Sequence, residues 1–346
     1  MIFVGDIALP KENSIDYNFP SFFNDSIIIA NLEGALVKNP EKYIPTSKVV
    51  NGIKPIAKLN NKYKIHFSIN NNHILDNNNF NETRENFIKL GLSVFGAGEN
   101  IKIASKPLIL EDKNILVLNF GWNVIECKYA ENLKPGVNPL SKKHVISEFL
   151  KYKKLYPKFK LFVLFHWDYE LEAYPMPSQR ALSFDLIDLG CDLIVGAHPH
   201  RVQGYEYYKN KPIIYSVGNF LFAQNVYRSG TLKFPDFCNL ELAFEFCEDG
   251  NHKCHFFDYN KNKKILNYLK SEKLSDSKIM NDLSSFNKIP IDKYDRWFKN
   301  NRYHRKIIPI YKVNDSQFMT ICKDVFNRYR TLSINIISNF KRYIYN

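Results

Sequence analysis

The chain has 346 residues, 45% of them apolar, and carries a formal net charge of +13 at pH 7. That length suffices for one large domain, or for a domain of roughly 220–260 residues with an appendage, and the apolar share is ordinary for a globular protein with a sizeable core. The positive balance admits an anionic partner such as a phosphate-bearing glycan, a nucleic acid or a membrane surface, but it also follows from simple enrichment in Lys and Asn, so charge alone assigns no function.

The chain opens directly on a strand-like run, Ile2-Phe3-Val4-Gly5-Asp6. No basic, then apolar, then cleavable leader precedes it, and no apolar run reaches the length that spans a bilayer, so a soluble, cytoplasmic protein without a transmembrane segment is expected. Further short apolar runs recur at Ile27–Ala30, Phe67–Ile69, Ile115–Leu118, Leu161–Phe165, Leu193–Val195, Ile213–Tyr215 and Leu240–Phe246. Most are rich in β-branched or aromatic residues and end in Gly, Asn, Asp or His, the signature of buried strands. Between them the spacing predicts helices over Pro55–Asn60, Asn81–Leu90 (capped by Asn79 or Asn81), Ser141–Tyr152 and Ser178–Leu189, with Gly91 and Gly190 placed as C-terminal caps. Strand and helix alternate, which argues for an α/β fold.

Beyond about residue 258 the composition shifts to Lys and Asn, glycine disappears and the pattern reads as helical. Residues 1–258 are expected to form the main domain and 259–346 a basic, mainly helical C-terminal extension. Phe318, Ile321, Cys322, Val325, Phe326, Tyr329 and Leu332 recur at three- and four-residue steps and would form one apolar stripe. Packing of that stripe against the main domain is the default, with a membrane-surface or partner-binding helix as the alternative; Arg328, Arg330, Lys341 and Arg342 make the segment basic. Six cysteines, at 127, 191, 238, 247, 254 and 322, contain no C-x-x-C pair. Neither a disulfide framework nor a structural zinc site is expected, and Cys191 reads as a small core residue.

Polar side chains gather at the ends of the strands. Asp6 follows the first run, Asn31 and Glu33 the second, Asn72 and His73 the third; His166 closes the Leu161–Phe165 run, and His198 and His200 follow Leu193–Val195. Ligands of open α/β sheets bind outside the carboxyl ends of strands. Asp, Glu, Asn and His form an N/O donor set suited to Mn, Zn, Fe or Mg. One strand-end Asp is more often a turn or cap residue than a ligand, and one buried His is usually satisfied by backbone; five such ends in one chain are harder to dismiss. Gly96-Ala97-Gly98 lacks the third glycine of a dinucleotide fingerprint and reads as a tight turn.

The ordered set Gly5-Asp6, Asn31-Leu32-Glu33-Gly34, Ser68-Ile69-Asn70-Asn71-Asn72-His73 with Asp76, Phe95-Gly96-Ala97-Gly98-Glu99-Asn100, His166-Trp167-Asp168-Tyr169-Glu170, Pro175-Met176-Pro177-Ser178-Gln179-Arg180, Gly196-Ala197-His198-Pro199-His200 and Tyr215-Ser216-Val217-Gly218-Asn219-Phe220 resembles the CapA family of poly-γ-glutamate capsule synthesis, a branch of the calcineurin-like metallophosphoesterases. The resemblance covers residues 1 to 246. It implies a four-layer α/β/β/α sandwich and one or two divalent metal ions. It also implies that Asp6, Glu33, Asn72, His166, His198 and His200 are metal ligands, with Glu33 in the bridging position. His73 would be the general acid that protonates the leaving oxygen, oriented by Asp76. Two departures stand out. Asp6 is followed by Ile7 and Ala8 rather than the superfamily's Asp-x-His, which removes a ligand from one metal. The family's His-Trp-Gly is His166-Trp167-Asp168, whose carboxylate could support a ligand, join the metal or be solvated.

Asn31, Gln179 and Arg180 are candidate substrate contacts; Arg180 could hold a carboxylate or phosphate in a bidentate grip, or lie on the surface. Asn219 could be no more than a turn amide. The leading expectation is a metal-dependent hydrolase, a phosphoesterase first, acting on an anionic small molecule or a glycan or poly-amino-acid in capsule or cell-surface biosynthesis. An amide or γ-glutamyl bond hydrolase or transferase comes second. A non-catalytic accessory subunit of a capsule polymer synthase, bound to other capsule biosynthesis proteins, is the reading from a different class. No recognised nucleic-acid-binding motif is present, which argues against a nuclease.

Overall fold

The computed structural model describes residues 1–304 and 307–345. Among them, two stacked sheets form the centre. The first contains strands β1 (Ile2–Ala8), β2 (Ile28–Leu32), β3 (Ile65–Ser68) and β4 (Ser93–Phe95), parallel and adjacent in that order. The second is built on β5 (Leu108–Leu110), β6 (Ile115–Gly121), β7 (Lys160–His166), β8 (Leu193–Ala197), β9 (Tyr205–Tyr208) and β10 (Lys211–Ile214), spatially ordered β9-β10-β8-β7-β6-β5. The chain then returns to the first sheet, where β11 (Asn219–Phe222) pairs parallel with β1 and β12 (Leu240–Glu245) antiparallel with it. An antiparallel run of β13 (Lys253–Asn260) and β14 (Ile265–Lys273) extends that sheet.

Side-chain alternation along the strands decides the layers. In β7, Phe162 and Leu164 join a core with Phe3, Ile29, Val117, Val195 and Phe244 from both sheets, whereas Leu161, Val163 and Phe165 join the cluster that includes helix residues. Period-two alternation therefore buries one face of each sheet against the other and the second face under helices. Helices α1 (Ile53–Tyr63) and α2 (Phe80–Lys89) connect strands of the first sheet, and α3 (Lys142–Leu155) and α4 (Pro177–Asp188) those of the second. Their ends follow from sequence. Asn79 Oδ1 accepts from the Glu82 amide at 3.2 Å, Ser141 Oγ from the His144 amide, and Pro177 opens α4, where a missing N–H costs nothing. Gly91 and Gly190 take positive φ just past α2 and α4. The result is the four-layer α/β/β/α sandwich expected.

The C-terminal part departs from expectation in two places. The predicted boundary at residue 258 falls inside β13, and Ile265–Lys273 is a strand paired along its length with β13, not helix. Its exposed face is rich in Lys, Ser and Glu, which masked the alternation. The rest is helical: α5 (Lys278–Leu283), α6 (Ile291–Asn301) and α7 (Gln317–Tyr345). Helix α7 docks through polar residues rather than through its apolar stripe. Asn327 is buried and donates to the Tyr169 and Tyr311 hydroxyls, both at 3.1 Å, while Phe318, Tyr329 and Leu332 are 73%, 69% and 57% exposed. The side chains of Lys341 and Arg342 lie outside the described residues. All six cysteines are free thiols, and Cys191 is fully buried. Among the described residues no helix is long and apolar enough to cross a membrane.

Candidate metal centre

The parallel strands place their carboxyl ends along one edge, where the polar residues named above converge. The approach is close: a Cβ on Gly5 would lie 1.9 Å from the Gly218 carbonyl oxygen, so only glycine lets β1 run against the turn before β11. Just beyond Gly5, Asp6 pairs with Asn31 on one side and Asn219 on the other. Asp6, Glu33 and His166 are buried, and each offers one donor atom lying within 4.8 Å of the others.

Two groupings share this centre. In the first, His166 Nε2 lies 2.9 Å from Asn72 Oδ1, 3.1 Å from His198 Nδ1 and 3.8 Å from Glu33 Oε2. Donor atoms bonded at about 2.1 Å to one cation stand roughly 3.0–3.5 Å apart, so the Asn72 and His198 spacings are close to those of a coordination shell and the Glu33 spacing is somewhat wider. In the second, His200 Nδ1 lies 3.1 Å from Asp6 Oδ2 and 2.9 Å from Asn219 Oδ1. Asn31 joins the two, donating from Nδ2 to Asp6 Oδ1 at 2.7 Å and to Glu33 Oε2 at 2.6 Å. It orients both carboxylates and is 5% exposed, so the expectation of Asn31 as a substrate contact gives way to this bracing role.

The protein atoms leave this centre short of positive charge. Glu33 Oε1 is buried without a hydrogen-bond partner, and Asp6 Oδ2 meets only the His200 ring nitrogen, at 3.1 Å, an arrangement that is costly unless a cation completes it. Burial, reinforced by the Asp6 charge, pushes the Glu33 carboxyl up to about 8. Burial also works against ionised Asp6, but the His200 hydrogen bond and charge outweigh it and hold that carboxyl below its usual range. His200 is pushed up to about 9, because the Asp6 contact outweighs the burial that opposes its charge. Burial drives His166 down to about 3 and His198 well below the usual imidazole range, so both present neutral lone pairs. The donor chemistry therefore fits one or two divalent cations. His198 and His200 both have positive φ, 98° and 57°, a strained backbone of the kind that is held in place at functional sites.

His73 sits beside this centre. Its Nδ1 lies 2.7 Å from Asp76 Oδ2, which also accepts from the Val49 amide at 2.7 Å. Burial opposes the imidazolium, yet the Asp76 contact prevails and raises the His73 pKa. Asn71 pins the turn: it donates to the Leu32 carbonyl at 2.7 Å and accepts from the Gly34 and His73 amides. Two lobes open from the site. One of about 190 Å³ is lined by His73 and His200 together with Lys48, Arg228 and Lys233. The other, about 250 Å³, reaches from Asn72 and His198 to residues of the C-terminal extension.

Arg180 and Gln179 are not part of the cleft surface. Arg180 is buried, with Nε and Nη2 each 2.8 Å from a Glu206 carboxylate oxygen and Nη1 donating to the Ile289 carbonyl. Its bidentate face is spent on Glu206 and a third donor on the C-terminal extension, so the fork that would grip an anion is taken. Gln179 is likewise buried, and its amide atoms have no partner. Asp168 is fully buried rather than solvated: it accepts from the Tyr169 amide at 2.8 Å and from Gln203 Nε2 at 3.2 Å. Burial and then the neighbouring Glu172 push its carboxyl up to about 8. Asn219 is more than a turn amide, since its Oδ1 lies 2.9 Å from His200 Nδ1; sequence reasoning missed Phe234, whose ring stacks on His200 at 4.5 Å and which carried no local signal.

The family described as "Bacterial capsule synthesis protein PGA_cap" matches residues 3–224. Over 246 residues the chain is 28% identical to the PGA biosynthesis protein CapA of Bacillus subtilis (strain 168), covering 64% of this chain and 63% of that protein. It is 32% identical over 163 residues to the capsule biosynthesis protein CapA of Bacillus anthracis, covering 44% and 39% respectively. The chain thus spans less than two-thirds of the length of either relative. A crystal structure of a hypothetical protein from Thermus thermophilus aligns with a TM-score of 0.39 at 11% identity, covering 79% of this chain and 98% of that one.

Proposed function

Because the chain belongs to the bacterial capsule synthesis protein family PGA_cap, we propose that it is a metal-dependent hydrolase, a phosphoesterase first, serving the assembly of a capsule or cell-surface polymer. The observation that carries the reading is the convergence of Asp6, Glu33 and His166 within 4.8 Å, with Glu33 Oε1 buried and partnerless. Asp6, Glu33 and His200 would hold one divalent cation; Glu33, Asn72, His166 and His198 would hold a second, with Glu33 shared. Such cations polarise a phosphoryl group and acidify water at neutral pH.

The chain's own residues supply the rest. Low-pKa His166 and His198 keep neutral nitrogens aimed at the centre, and Asn31 fixes the carboxylate oxygens that would ligate. His73, charged through Asp76, is placed to give its Nε2 proton to the leaving oxygen, while Asp76 holds Nδ1–H and stabilises the imidazolium. Lys48, Arg228 and Lys233 beside His73 favour an anionic substrate on that side.

The test is metal content and turnover of p-nitrophenyl phosphate and bis-p-nitrophenyl phosphate by the purified chain. His73→Ala is expected to keep its metal and lose about 10²–10⁴-fold in kcat. Stoichiometric metal binding absent in the wild type, together with no turnover, would leave the accessory-subunit reading in its place.

A further inference from the structure

We infer that the C-terminal extension, which lies wholly outside the family-matched residues 3–224, forms one wall of the substrate cleft and that Arg330 grips an acidic group of the substrate there. The inference rests on the hydrolase reading and adds to it which part of the chain selects the substrate.

The cavity of about 250 Å³ has Asn72 and His198 on one side and His304, Asn327, Arg330 and Thr331 on the other. The wall is fixed rather than draped. Arg302 approaches Glu172 at 3.4 Å, the Tyr303 amide donates to Glu172 at 2.7 Å, and His304 bonds to the Glu170 carbonyl. Tyr169, three residues past His166, donates to the Pro309 carbonyl at 3.1 Å and meets Asn327. The loop that follows a proposed ligand is thereby bonded to the extension at several points. Helix α7 turns its polar side to this cavity and its apolar stripe away, the reverse of what burial of apolar surface would select. A polar helix face held over a polar cavity is accounted for if the cavity receives a ligand.

Arg330 is the cation of that face. Arg180 and Arg302 are tied to Glu206 and Glu172, whereas among the described residues Arg330 forms no salt bridge. A half-buried guanidinium with free donors can take a carboxylate or phosphate through two parallel hydrogen bonds. Glu126 and Glu170 also line the cavity. They disfavour a bare anion and accept from hydroxyls or amines, so the fitting segment carries an acidic group together with such donors.

The probes are methylphosphonate and a series of carboxyalkyl phosphonates of increasing arm length, titrated calorimetrically into the full chain with Mn²⁺. Binding, not turnover, is read. At least one armed phosphonate should bind about tenfold tighter than methylphosphonate, a gain of the size expected for a charged hydrogen-bonded pair. Arg330→Ala should abolish that gain and leave methylphosphonate unchanged, and Arg330→Lys should keep only part of it. Arg330 lies on a helix surface, and an unchanged melting temperature confirms that the variants fold. A gain that survives Arg330→Ala, or no gain at any arm length, overturns the inference and leaves the hydrolase reading standing. Absence of any phosphonate binding to the wild type removes the hydrolase reading, and this inference falls with it.

Discussion

Glu33→Gln should stabilise the chain in chelator while weakening its response to metal. Glu33 is fully buried, its Oε1 has no partner, and its carboxyl is pushed from an ordinary 4.5 up to about 8. At pH 7 an unfolded glutamate is ionised whereas this one, from the protein's own groups, is not, a mismatch worth at most about 3 kcal/mol. A folded pKa above the unfolded one gives stability that is full below pH 4.5 and is lost as pH rises toward 8. Glutamine keeps the hydrogen bond accepted from Asn31 and removes the titration. The variant should therefore gain about 1–3 kcal/mol at pH 7 in EDTA, roughly 1.5–4 °C for a chain of this size, and nearly nothing at pH 4.5. Metal at a hundred times its Kd should raise wild-type stability by about 2.7 kcal/mol, and most of that rise should vanish in the variant. Thermal unfolding by circular dichroism at pH 4.5 and 7, with EDTA or with Mn²⁺, reads all four quantities. A variant destabilised in EDTA at pH 7, with an undiminished metal response, would refute the reasoning.

Two further substitutions probe the surroundings. Asp168→Asn removes a buried carboxylate raised to about 8; because wild-type stability from this group is lost as pH rises from about 4 toward 8, the variant should gain about 1–3 kcal/mol at pH 8 and little at pH 4 by denaturant unfolding. Arg180→Ala strips Glu206 of its bidentate partner in a buried setting and should cost about 3–5 kcal/mol, while the metal affinity of the folded fraction, measured by titration, stays unchanged. An equal loss of metal affinity would return Arg180 to the cleft.

The strand ends were legible because their chemistry is local. A short apolar run that stops at Asp, Asn or His announces both a buried strand and a polar group at its edge, and the parallel arrangement carries all such edges to one side. Asp6, Glu33, Asn72, His166, His198 and His200 therefore gather at that side, as their positions at the strand ends suggested. The failures share the opposite property. Arg180 stands at the start of a helix in sequence, but its role is set by Glu206 and Ile289, 26 and 109 residues away. The strand Ile265–Lys273 borrows its identity from the neighbour it pairs with, not from its own Lys-rich pattern.

The sequence by itself determined the α/β alternation, the helix caps and the polar residues at the strand ends, since each depends on residues within one turn or one strand. Only the tertiary structure decided that Glu33 Oε1 is stranded without a partner, that Asn31 bridges the Asp6 and Glu33 carboxylates, and that α7 turns its polar side to the cavity beside His198. Those properties depend on burial and on pairs distant along the chain. Dielectric surroundings and long-range contacts exist only once the sheets have stacked.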